Sequence, residues 1–219
     1  MTEFFIVRHC QAKENIKMIF QGTLDGEVSE LGEKQLYYLG ERFKSQRIDR
    51  IYSSSRKRAL ATAKAVNKYH NLDIIIDDRL AEIDGGDWEG RKFSEFDKLF
   101  PVSFKMWNEA PYDFTAPNGE SMRSVYDRVS SFVKQTAKSA PGETIVLASH
   151  GCAVRNLICW AKYGDLHKIG NLPWPANTAV YRICVDEKGD VRVLSENDIS
   201  HLPDEIKTLS AQKWSKTEG

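Results

Sequence analysis

The sequence predicts an α/β domain: three layers, with helices on both faces of a mostly parallel central sheet. Three observations carry that expectation. Short, nearly continuous apolar runs at residues 4–7 and 144–148 have the character of strands buried on both faces. Segments of helical period separate the apolar runs, as the crossovers between parallel strands require. Both runs end abruptly in polar clusters, Arg8-His9-Cys10 and Ser149-His150-Gly151, at the strand edge where such sheets bind ligands.

The elements follow in order. Phe4-Phe5-Ile6-Val7 is the first strand. Ser29 is placed to cap a helix that carries Leu36, Leu39 and Phe43 on one face, at spacings of three and four. Ile51-Tyr52 is a short strand running into Ser53-Ser54-Ser55, and the helix after it turns Ala59, Ala63 and Val66 inward. Ile74-Ile75-Ile76 is the next strand. Residues 85–119 break the pattern: Gly, Pro, Trp and Phe are scattered, with one short helix over 94–99 ending before Pro101. This stretch reads as an insertion forming a lid over the strand ends. From Ser121 a long amphipathic helix carries Val125, Val129, Phe132 and Val133, stopping before Pro141-Gly142. After His150 a helix runs to about Lys162. Strands over 178–185 and 191–195 close the domain, joined by a turn over 186–190. The domain is bounded at 1–196, and the polar residues 197–219 are expected to form a loosely docked tail.

Lys+Arg and Asp+Glu are equal at 31 each, so the chain lacks the charge imbalance of a nucleic-acid or anionic-membrane binder. The longest apolar runs are about five residues, far short of the ~20 that a transmembrane helix needs. The four cysteines, Cys10, Cys152, Cys159 and Cys184, form no CxxC pair, which fits reduced thiols in the cytoplasm. These features point to a cytoplasmic domain with neither nucleic-acid nor membrane partners.

Three strand ends carry groups able to converge: Arg8-His9, the segment after Tyr52 with Arg56 and Arg58, and Ser149-His150. A single histidine at a strand end is more often structural. Two histidines and at least two arginines at one sheet edge are a stronger signal. Arginine offers a planar fork to phosphate oxygens, and a neutral histidine beside phosphate can act as nucleophile or as acid and base. Spacing alone therefore supports an anion site, for phosphate. The pairs His9–Cys10 and His150–Cys152 leave zinc as an alternative, though not with a recognised ligand spacing.

The segment from Arg8 to Asn15 resembles the Arg-His-Gly signature of the histidine phosphatase superfamily, the phosphoglycerate mutase-like enzymes. The likeness continues through Gln21-Gly22, Asp25, Ser29-Glu30-Leu31-Gly32, Tyr52-Ser53-Ser54, Arg58-Ala59, Thr62-Ala63, Leu80-Ala81-Glu82 and Gly86-Asp87-Trp88-Glu89-Gly90. Gly119-Glu120-Ser121, Ser149-His150-Gly151 and Asn177 complete it. The resemblance implies a phosphoglycerate mutase-like fold and a metal-independent phosphomonoesterase without cofactor, acting on a small phosphate monoester. It implies His9 as nucleophile and Glu82 as general acid and base, with Asp84 or Glu89 as alternatives for the acid. It also implies Arg8, Arg58 and His150 around the phosphoryl oxygens, with Asn15, Gln21 and Gly22 assisting. A cofactor-dependent phosphoglycerate mutase and a non-catalytic phospho-ligand binder are the alternatives. The family's mutases have a longer insertion than residues 91–118 provide here. Cys10, Ala12 and Ala61 depart from the family's Gly, Thr or Ser, and Gln. Beside Arg8, Arg58 and His150, the Cys10 thiol is expected to be acidified and reactive.

Overall fold

Six segments rich in β-branched and aromatic residues pair into one sheet: β1 (Thr2–Arg8), β2 (Arg50–Ser53), β3 (Ile74–Ile76), β4 (Thr144–Ser149), β5 (Val180–Val185) and β6 (Val191–Asp198). In this computed structural model, which describes residues 1–208, their spatial order is β3-β2-β4-β1-β5-β6. The first three pairings in that order are parallel, and β1–β5 and β5–β6 are antiparallel. The fold is a single α/β domain.

Alternation along the strands builds the layers. Phe4, Ile6, Ile145 and Leu147 face one core; Phe5, Val7, Val146 and Ala148 face the other. Behind the short α1 (Lys13–Ile16), α2 (Glu30–Phe43) and α3 (Lys57–Val66) give Leu39, Phe43, Ala63 and Val66 to the second core. Ser29 caps α2, accepting from the Gly32 amide at 3.0 Å.

Residues 85–119 hold more helix than their composition suggests. A single turn, α4 (Phe96–Leu99), is followed by α5 (Pro101–Glu109), so Pro101 opens a helix where the sequence suggested only an ending. At the first helical position its missing N–H costs nothing and its fixed φ is already helical. Trp88, Phe96 and Phe114 are fully buried here, and the cluster is continuous with the first core. That core is completed by α6 (Met122–Ser139), capped by Ser121, and α7 (Gly151–Tyr163), which burial on nearly every side makes the central helix of its layer.

The expected boundary at 196/197 falls inside β6. Beyond it Leu202, Ile206 and Thr208 are buried, so the chain to residue 208 is docked against the body of the domain and not loosely attached. Residues 209–219 of the expected tail lie outside the described residues.

Candidate active site

The parallel register brings the polar clusters together. Arg8 pairs with Ser149, so His9 and His150 leave neighbouring strands side by side, their ring centroids 5.2 Å apart. Both are buried. His9 Nδ1 lies 2.6 Å from the Cys10 carbonyl oxygen. A carbonyl only accepts, so Nδ1 carries the proton and Nε2 is left with its lone pair. His150 Nε2 lies 2.8 Å from Ser54 Oγ, while its Nδ1 is buried without a protein partner. Burial, then Arg58 and Arg8, holds the His9 pKa well below the imidazole range. Burial, then Arg58 and His9, does the same to His150. Both rings are neutral near pH 7.

An open cavity of about 540 Å³ lies over His9, its polar wall made of Arg8, His9, Asn15, Gln21, Glu82 and Gly151. Arg8 donates to the Pro175 carbonyl, and burial lowers its pKa to about 10, which still leaves a cation. Asn15 Oδ1 accepts from the Ala12 amide at 2.9 Å, and both amide atoms of Gln21 are buried without partners. Arg58 and His150 are fully buried and are not part of the cavity lining. The terminal nitrogens of Arg58 donate to the carbonyls of Leu24 at 2.7 Å, Gln21 at 3.1 Å and Gly22 at 3.2 Å; its Nε has no partner. Arg58 thus holds the 21–24 loop as well as charging the site. Gly22, expected to assist at the phosphoryl group, packs tightly: a Cβ there would come within 2.0 Å of the Ile83 carbonyl, so only glycine permits this approach.

Of the three candidate carboxylates, only Glu82 lines the cavity. It accepts from the amides of Ile83 at 3.0 Å, Cys152 at 3.0 Å and Ala153 at 3.2 Å, lying across the first turn of α7 where the helix dipole favours an anion. Arg128 fixes its backbone, donating to the carbonyls of Arg79, Ala81 and Glu82 while paired with Glu120 at 2.8 Å. That is the physical content of the Gly-Glu-Ser motif. Asp84 accepts from Gly86 within its own turn, and Glu89 gathers the amides of Gly22, Thr23, Leu24 and Gly85.

The Cys10 thiol overturns the expectation of a reactive thiolate. It is fully buried, its Sγ faces the Arg58 carbonyl, and burial outweighs the nearby cations to push its pKa up to about 12. Cys152 is raised by the same cause and packs on Met122. Among the described residues no three His, Cys, Asp or Glu side chains are grouped to hold a metal ion, and no helix is long and apolar enough to cross a membrane.

Residues 4–198 match the family description histidine phosphatase superfamily (branch 1). The chain belongs to that superfamily. It is a phosphomonoester hydrolase of the histidine phosphatase type. It is 33% identical over 202 residues to phosphoserine phosphatase 1 of Hydrogenobacter thermophilus, covering 92% of this chain and 95% of the relative. Among solved structures it resembles YhfR of Bacillus stearothermophilus, with TM-score 0.87 and 31% identity over 92% of this chain and 99% of that one. It also resembles a mycobacterial glucosyl-3-phosphoglycerate phosphatase, with TM-score 0.81 and 25% identity over 89% and 98%.

In this histidine phosphatase the apolar side of the cavity lies outside the motifs, and residues 85–119, whose aromatic content the sequence offers either as a substrate-facing wall or as their own core, supply Phe93 and Trp107 to it. Ile19, Phe20, Phe93, Trp107 and Trp174 line it, and the Trp107 and Trp174 rings stack at 5.3 Å and 24°. Trp174 sits after α7, three residues before Asn177 but not itself a motif residue. Thr62, whose Oγ1 accepts from the Cys10 amide at 3.0 Å, and Ser54 stand within motifs, and their partners emerge only from the fold.

Proposed function

We propose that this chain hydrolyses phosphate monoesters through a phosphohistidine at His9 Nε2. The observation that carries this is the bond from His9 Nδ1 to the Cys10 carbonyl, which leaves the Nε2 lone pair at the foot of the cavity beside Arg8. In the first step that lone pair attacks phosphorus and the ester P–O bond breaks. Glu82, as the general acid, gives a proton to the leaving alkoxide. In the second step Glu82 takes a proton from water, the oxygen attacks phosphorus, and the N–P bond breaks to return neutral His9. Arg8 faces the developing charge. Two buried donors without protein partners, Arg58 Nε and His150 Nδ1, suit the remaining phosphoryl oxygens. Ser54 Oγ accepts from the Arg56 amide, so its hydroxyl proton is free to go to His150 Nε2, which leaves the proton on Nδ1.

The leaving group meets an apolar wall, and Arg8 is the sole arginine or lysine lining the cavity among the described residues. A carboxylate-bearing substrate, or the bisphosphate that a mutase must retain, needs a second cation beyond the phosphoryl cage. The wall favours hydrolysis of a weakly charged, flat or apolar monoester over both. Release of phosphate from phenyl phosphate, phosphoserine and 3-phosphoglycerate in the presence of chelator tests this. The aryl ester should have the highest kcat/KM. No release from any of them overturns the hydrolase, and a preference for phosphoserine overturns the substrate class.

A further inference from the structure

We infer that residues 203–208 form a strap that positions the nucleophile, with Thr208 and Gln35 as the positioning residues. The inference rests on His9 being the nucleophile. Thr208 is 5% exposed, and its Oγ1 donates to Asn177 Oδ1 at 3.1 Å. The other end of the same amide, Asn177 Nδ2, donates to the His9 carbonyl at 3.1 Å. Two residues earlier, the Ile206 carbonyl accepts from Gln35 Nε2 at 3.1 Å, and Gln35 Oε1 accepts from the Gln11 amide at 2.9 Å. Asn177 and Gln35 are both fully buried.

One short segment therefore reaches the backbone of residue 9 by one relay and of residue 11 by another, on either side of Cys10. The peptide between them carries the carbonyl that orients the His9 imidazole. The His9 carbonyl fixes which end of the Asn177 amide faces it, and the Thr208 hydroxyl engages the opposite end, so the amide is held at both ends. Leu202 and Ile206, 3% and 4% exposed, anchor the strap by apolar burial. None of the strap residues lines the cavity. Their effect passes through the loop, where a displacement of ~1 Å at a reacting group can cost about 10²-fold in rate.

The test compares Thr208→Val, which keeps the shape and loses the hydroxyl, with Thr208→Ser, which keeps the hydroxyl. Each full-length protein is assayed on phenyl phosphate for kcat, KM and inhibition by inorganic phosphate. The His9 imidazole ¹⁵N shifts are recorded alongside, and thermal melts confirm folding. Thr208→Val should lose about tenfold in kcat with KM and phosphate inhibition within about twofold, and Thr208→Ser should restore kcat. The ¹⁵N pattern of fixed Nδ1–H should blur toward averaged tautomers in Thr208→Val alone. Unchanged ¹⁵N shifts with wild-type kcat in Thr208→Val overturn the strap, as does equal loss in Thr208→Ser. Gln35→Leu is the second variant and should show the same split between kcat and KM; a pure loss of melting temperature there counts against it. Turnover by wild type without phosphate on His9 overturns the nucleophile instead, and the ¹⁵N comparison still decides whether the strap orients the ring.

Discussion

The cavity has two sides built by different physics. On the nucleophile side, residues 8–11 are held by directional bonds: Thr62 to the Cys10 amide, Gln35 to the Gln11 amide, Asn177 to the His9 carbonyl, and the Cys10 carbonyl to the ring. On the aromatic side, Trp88, Phe93, Phe96, Phe100, Phe104, Trp107 and Phe114 pack ring against ring, with centroids such as Trp88–Phe96 at 4.3 Å. A hydrogen bond names its residue, because one missing donor leaves a buried group unmatched. An aromatic cluster accepts any side chains of suitable volume. The chemistry is thereby fixed on one side, and the side that would meet the leaving group in the proposed reaction is open to change.

The largest effect should fall on the nucleophile side. His9→Ala should abolish turnover, and quenched wild type should carry acid-labile, base-stable phosphate that the variant lacks. Label on another residue would break the assignment. Glu82→Gln comes next. General acid catalysis is worth about 10²–10⁴-fold, and it matters most where the leaving alcohol is a poor one. The loss should therefore be large on alkyl phosphates and small on nitrophenyl phosphate. Equal loss on both classes would show that Glu82 positions α7 and transfers no proton.

The same contrast explains what could be read before the fold was known. Phe4 to Val7, the Ser29 cap and the α6 stripe of Val125, Val129, Phe132 and Val133 are local patterns, and they formed as expected. His9, Arg8, Asn15, Gln21 and Glu82 were legible as motif residues and do meet in one cavity. What was not legible depends on long-range partners. The Arg58 acceptors lie 34 to 37 residues away and are backbone carbonyls, which no side-chain pattern encodes. The sign of the Cys10 shift depends on burial, and sequence showed only the cations. Pro101 reads as a stop or a start until the preceding turn is seen. Thr208 has no signature at all.

Trp174→Ala sharpens the aromatic side. Trp174 is stacked on Trp107, with the Arg155 guanidinium 4.6 Å beneath it and bonded to the Leu172 and Ile169 carbonyls. Removing that face should raise KM for phenyl phosphate about 5- to 20-fold, the scale of ~1–2 kcal/mol of aromatic contact. Phosphate inhibition, which reads the other side of the cavity, should change less than about twofold on the same reasoning. A parallel loss of both would mean the two sides are not separable.

The smallest effect separates the sides by pH. His9 and His150 have folded pKa values held well below the ordinary 6.5, by burial and then Arg58. As pH falls through 6.5 the unfolded chain takes up protons that the folded chain refuses, so stability is full above that point and declines below it. His201, brought to about 4 by burial and then Arg42, adds a decline of the same sign between 6.5 and 4 from beside the strap. The rings of the aromatic side contain no titratable group. Thermal midpoints should therefore fall from pH 7.5 to pH 5 in wild type. His150→Gln should flatten that fall, whereas Phe104→Leu should lower the midpoint equally at both pH values. For a chain of this size each kcal/mol moves the midpoint by about 2–4 °C, so the flattening is a matter of a few degrees. Parallel curves for wild type and His150→Gln would place the acid sensitivity outside the nucleophile side, while a slope changed by Phe104→Leu would show that the aromatic cluster and the histidines do not act independently.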